Sequence, residues 1–205
     1  MTFEAKIIEF LQKLSTPFLD KLMAFMSFFS DYMIVVVFFI FLFFNRERML
    51  AFYFLLTELV STLIQFTAKK IFLRPRPYVQ YSEIKGIFNA SGTSFPSGHS
   101  VTAMCVFVFI LLLIYKSNPS KRDKIIFITL GVLYLLFNAF NRMYLGQHFL
   151  SDIIGGYLLE IAIGGIAFLL YNPFKELYNL IENTICKPRR VYNNGKEGEE
   201  KTDNS

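Results

Sequence analysis

Apolar residues occur along this chain in long runs rather than in alternation with polar ones. Four runs come close to the ~20 apolar residues that a helix needs to cross a bilayer. They lie at 49–68, 99–116, 124–141 and 151–171. The pattern therefore predicts four membrane-spanning helices.

The N-terminal part of the chain permits two interpretations. Residues 22–44 carry a single charge, Asp31, and are long enough for one span. Alternatively, an amphipathic helix ends near Ser30, a turn follows, and a short span runs from Tyr32 to Phe44. We favour the second version, in which residues 1–30 form either an amphipathic helix or a first membrane helix. It makes the chain an all-α, polytopic membrane helix bundle with about six transmembrane helices.

The composition agrees with an integral membrane protein. Hydrophobic residues make up 54% of the chain and charged residues 18%, against about 45–50% and about 25% in soluble domains. We expect one domain at 1–186 with its core at 49–171. Residues 187–205 are nearly devoid of apolar side chains and predict a disordered cytoplasmic tail. Residues 1–21 lack the pattern of a removable signal peptide.

Two cysteines offer no disulfide framework. Cys105 lies inside an apolar run, and Cys186 lies near the polar tail. We therefore expect neither a disulfide scaffold nor a thiolate metal site.

Lys and Arg residues divide between the two ends of the predicted spans. Those at 46–48, 116–124 and 187–190 fall on one side, which the positive-inside rule makes cytoplasmic. The net charge of +5 therefore needs no nucleic-acid partner. The extracytoplasmic side holds the 69–98 and 142–150 loops, which also carry cations. Cations on the side that is normally poor in them predict an anionic ligand there.

The first polar island follows the 49–68 run. Lys69 ends that run, and the two Arg-Pro pairs at 74–77 stop the helix and favour extended backbone. Extended backbone can hold the Arg76 guanidinium against a phosphate, whose geometry it matches. The alternative is that Lys69, Lys70 and Arg74 only reach toward lipid headgroups.

The second island is Pro-Ser-Gly-His at 96–99, directly before an apolar run. Ser97 is a predicted N-cap, and Gly98 permits a close approach to the backbone. Free amides and the positive dipole end at a helix start favour anion binding. His99 would then stand beside the anion as a proton donor. An ordinary capped helix start with a surface histidine is the alternative.

The third island contains the other histidine of the chain. His148 and Asp152 are four residues apart, which places them on one face of a helix. A carboxylate bonded to one ring nitrogen leaves the other nitrogen free to attack. Arg142, six residues earlier, is close enough in sequence to share that pocket. The alternative is a helix N-terminus stabilised by Asp152.

The three islands together resemble the signature of the type 2 phosphatidic acid phosphatase superfamily. Lys69 and Arg76-Pro77 match its first motif, the segment at 96–99 its second, and Arg142, His148 and Asp152 its third. The resemblance covers roughly residues 50–171. That family includes membrane lipid phosphatases and the vanadium haloperoxidases. This chain departs from it at Asn141, where the family usually has Ser.

The resemblance implies a role for each residue of the three motifs. His148 would be the nucleophile that forms a phosphohistidine, oriented by Asp152. His99 would protonate the leaving oxygen and then activate water. The phosphoryl oxygens would be held by Lys69, Arg76, Ser97, the Gly98 amide and Arg142. Fixed donors of this kind stabilise a metaphosphate-like transition state, and no carboxylate cluster suited to Mg²⁺ accompanies them. We therefore predict metal-independent catalysis without a cofactor.

Two carboxylates fall inside the predicted spans. Glu58 would lie about 16 Å below Lys69, and Glu160 about 12 Å below Asp152. Glycines at 156 and 164, on the same stripe as Glu160, permit close helix packing. Intramembrane carboxylates are functional candidates, while a purely structural role is the alternative. In either case we expect both to face the bundle interior and bond to polar groups.

The predicted function is hydrolysis of a membrane lipid phosphate. A site at the membrane boundary suits phosphatidic acid, phosphatidylglycerophosphate or undecaprenyl pyrophosphate as the substrate. We expect a multi-pass enzyme of the plasma membrane whose active site faces the extracytoplasmic side. A phosphotransferase using the same histidine is the nearest alternative. A non-catalytic transporter or binding protein for anionic lipids explains the cations but not the histidines. The oligomeric state is left open by the sequence.

Overall fold

The structure is a computed structural model that describes residues 1–28, 33–88 and 90–185. All regular secondary structure in the described part is helical, which confirms the all-α prediction. The helices are α1 (Phe3–Gln12), α2 (Pro17–Phe28), α3 (Ile34–Phe44), α4 (Arg48–Phe72), α5 (Pro77–Gln80), α6 (Gly98–Ser117), α7 (Lys121–Tyr144) and α8 (Leu150–Ile185). The predicted turn at Ser30-Asp31, Cys186 and the tail at 187–205 lie outside the described residues.

The predicted membrane helix bundle is confirmed. Within the described part, the four helices α4, α6, α7 and α8 are long and apolar enough to cross a membrane, and α3 is a shorter apolar helix. Each of the four contains one of the predicted spans. Many of their large apolar side chains point outward, as expected for helices that face lipid.

The N-terminal segment forms short helices. α1 and α2 have 10 and 12 residues and are separated by residues 13–16. Each is therefore too short to cross about 30 Å of hydrocarbon at 1.5 Å per residue. α2 ends at Phe28 and α3 begins at Ile34, and the predicted turn between them falls outside the described residues. The single amphipathic helix predicted before that turn is instead two helices.

α8 is longer than the predicted span. It continues through Pro173 and has 36 residues, equivalent to about 54 Å of helix. The predicted span ended at residue 171 with the apolar run. Pro173 follows, and a proline inside a helix removes one helical hydrogen bond and crowds the preceding turn. That local cost did not end the helix, whose C-terminal part is long enough to extend beyond the bilayer.

α6 lies at the centre of the bundle, between α4, α7 and α8. One core cluster joins Tyr53 and Phe54 of α4 to Phe109 of α6 and Ala167 of α8. A Cβ at Gly156 would lie 2.7 Å from the Ser97 carbonyl oxygen. The predicted close packing at this glycine is thus confirmed, and it brings the start of α8 against the start of α6.

Candidate active site

The fold brings the three polar islands to one end of the bundle. The end of α4, the start of α6 and the loop between α7 and α8 meet around a cavity of about 990 Å³. Its polar wall contains Lys69, Arg76, Gly98, His99 and His148. Five of the eight predicted site residues therefore line one cavity, although they are spread over 80 positions of the sequence.

Arg76 is the most firmly held cation of the cavity. Its side chain is buried, and its guanidinium donates to the carbonyl oxygens of Ser91, Gly92 and Gln147 at 2.9, 3.1 and 3.3 Å. The backbone of Arg76 is extended, as predicted from the prolines around it. Its Nη1 lies 3.5 Å from His148 Nε2. The positive charge is therefore fixed beside one imidazole nitrogen.

Lys69 reaches the same cavity from the last turn of α4. Its ammonium group donates to the Thr93 carbonyl at 2.6 Å and remains half-buried. One bond to a neutral oxygen leaves the ammonium charge and two further donors for a ligand.

The second island forms the predicted helix start. Ser97 occupies the N-cap position, but its side chain makes no capping hydrogen bond, and its buried hydroxyl has no partner among the described residues. The Ser97 amide instead donates to the Asp152 carbonyl at 3.0 Å, which joins the second and third islands. His99 follows on the first turn and has Arg142, His148, Arg76 and Lys69 as its charged or titratable neighbours.

His148 lies in the short loop between α7 and α8 and is almost completely buried. Its Nδ1 is 3.8 Å from Asp152 Oδ2, which is longer than a hydrogen bond. Burial lowers the pKa of His148 to about 4, so the imidazole is neutral at pH 7. A neutral ring has a lone pair for attack, and Nε2, on the side of Arg76, is the nitrogen nearest the cavity cations.

Gly146 shapes the loop that carries His148. Its φ of +73° lies in the left-handed region, and a Cβ there would be 2.4 Å from the Lys85 carbonyl oxygen. Only glycine fits both conditions without a shift of the backbone. The turn at Gly146 thus sets where Gln147 and His148 enter the site.

Arg142 is fully buried behind the cavity wall. Its guanidinium donates to Gln147 Oε1 at 3.2 Å and also to Asn141 Oδ1. The Asn141 amide in turn donates to the Met23 carbonyl of α2 at 2.9 Å. Asn141, the position that departs from the family pattern, therefore links Arg142 to the N-terminal helices.

Sequence reasoning missed two charged residues beside the site. Arg74 was assigned no role beyond lipid headgroups, yet it forms an ion pair with Asp152 at 2.6 Å. It also contacts Glu4 of α1 at 3.2 Å. The alternating Arg-Pro pattern marked Arg74 as rigid, but no pattern connected it with a glutamate 70 residues earlier.

The cavity also extends down the bundle, away from the cations. Beyond His99 it is lined by Val35 and Val36 of α3, by Leu55, Glu58 and Leu59 of α4, and by Val101 and Thr102 of α6. Val36, Leu55 and Leu59 are exposed on the lipid-facing surface. The polar end of the cavity is thus continuous with an apolar groove open to lipid. Among the described residues, no group of three or more His, Cys, Asp or Glu side chains is placed to hold a metal ion.

The chain matches the family model of the PAP2 superfamily over residues 48–176. One similar curated protein is phosphatidylglycerophosphatase B of Bacillus subtilis, with 38% identity over 92 residues. That alignment spans 44% of this chain and 43% of the relative, so it covers less than half of either protein. Undecaprenyl-diphosphatase BcrC of the same organism is 28% identical over 82% of this chain and 87% of its own length.

Solved structures share the fold. LpxE of Aquifex aeolicus superposes with a TM-score of 0.67 and 22% identity, covering 82% of this chain and 95% of its own. A transmembrane PAP2-type phosphatidylglycerolphosphate phosphatase of Bacillus subtilis gives a TM-score of 0.66 and 24% identity, covering 85% of each chain. The family match spans the helices that build the cavity and all three polar islands. This chain therefore belongs to the PAP2 superfamily.

Proposed function

We propose that this protein hydrolyses the phosphate of a membrane lipid through a covalent phosphohistidine on His148. The observation that carries the proposal is a single cavity in which two histidines and two cations stand at the polar end of a groove open to lipid. Membership of a family of membrane lipid phosphatases supports hydrolysis as the reaction class.

In the first step we assign one role to each of the two histidines. Nε2 of His148 attacks phosphorus while the bond from phosphorus to the leaving oxygen breaks, and His99 donates a proton to that oxygen. Lys69 and Arg76 neutralise the phosphoryl oxygens, with the Gly98 amide and the unpartnered Ser97 hydroxyl as further donors. Asp152, whose Oδ2 lies 3.8 Å from His148 Nδ1, stabilises the positive charge that forms on His148.

The second step reverses the proton movements. His99, now neutral, removes a proton from a water molecule, and the resulting hydroxide attacks the phosphohistidine. The nitrogen–phosphorus bond breaks, inorganic phosphate leaves, and the His148 imidazole returns to its neutral state. None of these steps requires a metal ion, so we expect activity in EDTA.

The groove supports a lipid phosphate as the substrate. A phosphate at the cavity cations places the rest of the ligand between α3, α4 and α6, where Val36, Leu55 and Leu59 meet the bilayer. An acyl or polyprenyl chain fits this path, whereas a water-soluble ester leaves it unfilled. The names of the relatives offer phosphatidylglycerophosphate and undecaprenyl pyrophosphate as candidates, and phosphatidic acid completes the set.

The test is phosphate release by detergent-purified protein in EDTA from these three lipids. His148→Ala is the inactive variant, and Lys85→Gln is its control, because Lys85 is exposed and outside the cavity wall. We expect release by wild type and by Lys85→Gln. We expect the rate of phosphate release to fall by about 10⁴-fold or more in His148→Ala. Without the nucleophile, only substrate binding and electrostatic stabilisation still contribute to catalysis.

Other outcomes separate the alternatives. Release that appears only when a second alcohol is supplied would indicate a phosphotransferase. Equal release by His148→Ala and wild type would refute the phosphohistidine. Absence of release from every lipid by folded wild-type protein would refute hydrolysis itself.

A further inference from the structure

Asp152 is held through both oxygens of its carboxylate, Oδ1 by Arg74 and Oδ2 by the backbone of Phe149. Arg74 Nη1 donates to Asp152 Oδ1 and to Ser151 Oγ, each at 2.6 Å. The backbone amide of Phe149 donates to Oδ2 at 2.8 Å. The carboxylate is fully buried, where an ionised group needs a counter-charge and bonds to both oxygens. Arg74 supplies that counter-charge.

Arg74 is itself fixed from two directions. Its Nη2 donates to Glu4 Oε2 at 3.2 Å, and its guanidinium lies 4.2 Å above the centre of the Phe149 ring. Glu4 Oε1 also accepts from the Ser151 amide at 2.6 Å. One carboxylate of α1 therefore bonds both to Arg74 and to the first turn of α8.

The remaining contacts of α1 show that this helix is specifically docked. Ala5 and Ile8 are completely buried against Ile84 and Phe149. At the other end of α1, Gln12 bonds to both backbone groups of Lys85 and to the Tyr144 carbonyl. A helix that merely lay on the membrane surface would need none of these contacts. α1 instead covers the loop that carries the histidine.

We propose that Arg74, oriented by Glu4 of α1, is a positioning residue that fixes the carboxylate of Asp152 and thereby aligns His148. The inference rests on the proposed function, since it assigns how that site is held. Arg74 does not line the cavity, so it acts through Asp152 rather than on the phosphate. Without Arg74, the carboxylate keeps only the Phe149 amide and is less firmly held. A displacement of about 1 Å at a reacting group costs roughly 10²-fold in rate.

The experiment compares Arg74→Gln, Arg74→Lys and Glu4→Gln in steady-state hydrolysis of the lipid that wild type prefers. For Arg74→Gln we expect kcat to fall by about 30- to 100-fold with KM within about twofold. Arg74→Lys keeps the charge but not the fork, and recovers part of kcat. For Glu4→Gln we expect kcat to fall by about twofold to fivefold, because a partly exposed ion pair contributes little. Glu9→Gln, exposed on the same helix, is the matched control and stays at the wild-type rate.

The Asp152→Asn variant provides a second background for Arg74→Gln. It distinguishes a positioning role of Arg74 from a general effect on the structure. If Arg74 acts through Asp152, then Arg74→Gln made in Asp152→Asn costs at most about twofold further, because the partner is already lost. Melting temperatures of all variants check that folding is retained. If Arg74→Gln does not fold, Arg74→Lys and Glu4→Gln carry the same comparison.

Three results would overturn the inference while leaving the proposed function intact. They are an unchanged kcat in Arg74→Gln, a rise in KM at constant kcat, and an undiminished effect of Arg74→Gln in the Asp152→Asn background. Inactive wild-type protein would instead refute the proposed function, and this inference with it.

Discussion

Arg76 shows how single residues place positive charge in the cavity. Three neutral backbone carbonyls hold its guanidinium, so the bonds fix its position without cancelling its charge. Lys69 is held in the same way by one carbonyl. The cations therefore remain able to neutralise a phosphate, whereas pairing with carboxylates would weaken that capacity.

Gly98 allows a prediction at this scale. A Cβ at Gly98 would lie 3.4 Å from the nearest protein atom, on the Gln65 side chain, which is an ordinary contact. Gly98→Ala should therefore fold with an unchanged melting temperature. If the phosphate approaches the Gly98 backbone, the methyl group occupies its path, and kcat/KM falls about 10- to 100-fold.

Phosphate release and thermal melting of Gly98→Ala decide between these effects. Wild-type kcat/KM in this variant would show that the phosphate does not approach Gly98. The control is Gly165→Ala on α8, where a Cβ meets no atom within 4 Å and the position is far from the cavity.

Sequence patterns identified the residues of the cavity better than the residues behind it. His99 and His148 were recognisable because each follows a helix break and the chain has no other histidine. Arg74 and Glu4 were not, because their relation to Asp152 is a contact between three distant segments. Local spacing carries no information about such a contact.

At the scale of elements, α4 and α8 each bring a carboxylate into the bundle, as predicted. Thr102 donates to Glu58 at 2.6 Å, and Glu58 also lines the cavity. Glu160 is fully buried, with the Ser61 hydroxyl and the Cys105 thiol as its polar neighbours. The predicted bond to a polar group is thus found for Glu58, and Glu160 has polar groups beside it as predicted.

The different surroundings of the two carboxylates predict different effects on the substrate. Glu58→Gln keeps an acceptor for Thr102 but removes the carboxyl group from the wall of the groove. We expect KM for a long-chain lipid phosphate to fall about threefold, because an apolar chain then meets no carboxylate. Glu160→Gln is the matched control and leaves KM unchanged, since Glu160 does not line the cavity.

Steady-state kinetics with one long-chain lipid check this pair. Equal KM values in wild type and Glu58→Gln would show that the chain does not pass Glu58. A large loss of kcat in both variants would instead support the functional interpretation of the intramembrane carboxylates.

For the whole molecule, charge at the two ends predicts the orientation. Lys116 of α6 pairs with Glu47 before α4, so these basic loops share one end of the bundle. The cavity lies at the other end. The positive-inside rule makes the basic end cytoplasmic, and the site is therefore expected on the extracytoplasmic face.

Cysteine labelling in intact cells tests this orientation. In a background with Cys105→Ala and Cys186→Ala, we expect a membrane-impermeant maleimide to label Ser82→Cys in intact cells. Lys121→Cys should be labelled only after permeabilisation. Both positions are exposed and lie at opposite ends of the bundle. The reverse pattern would place the site in the cytoplasm.

The sequence by itself determined the main helical segments, those apolar and long enough to cross a membrane, and the short polar islands that meet at the cavity. Those properties follow from runs of apolar residues, prolines and spacings, all of which are local. Only the tertiary structure decided that α8 continues past Pro173, that Asn141 links Arg142 to α2, and that α1 reaches Asp152 through Arg74. Each of these depends on packing between segments far apart in the chain, where burial and pairing outweigh what neighbouring residues prefer.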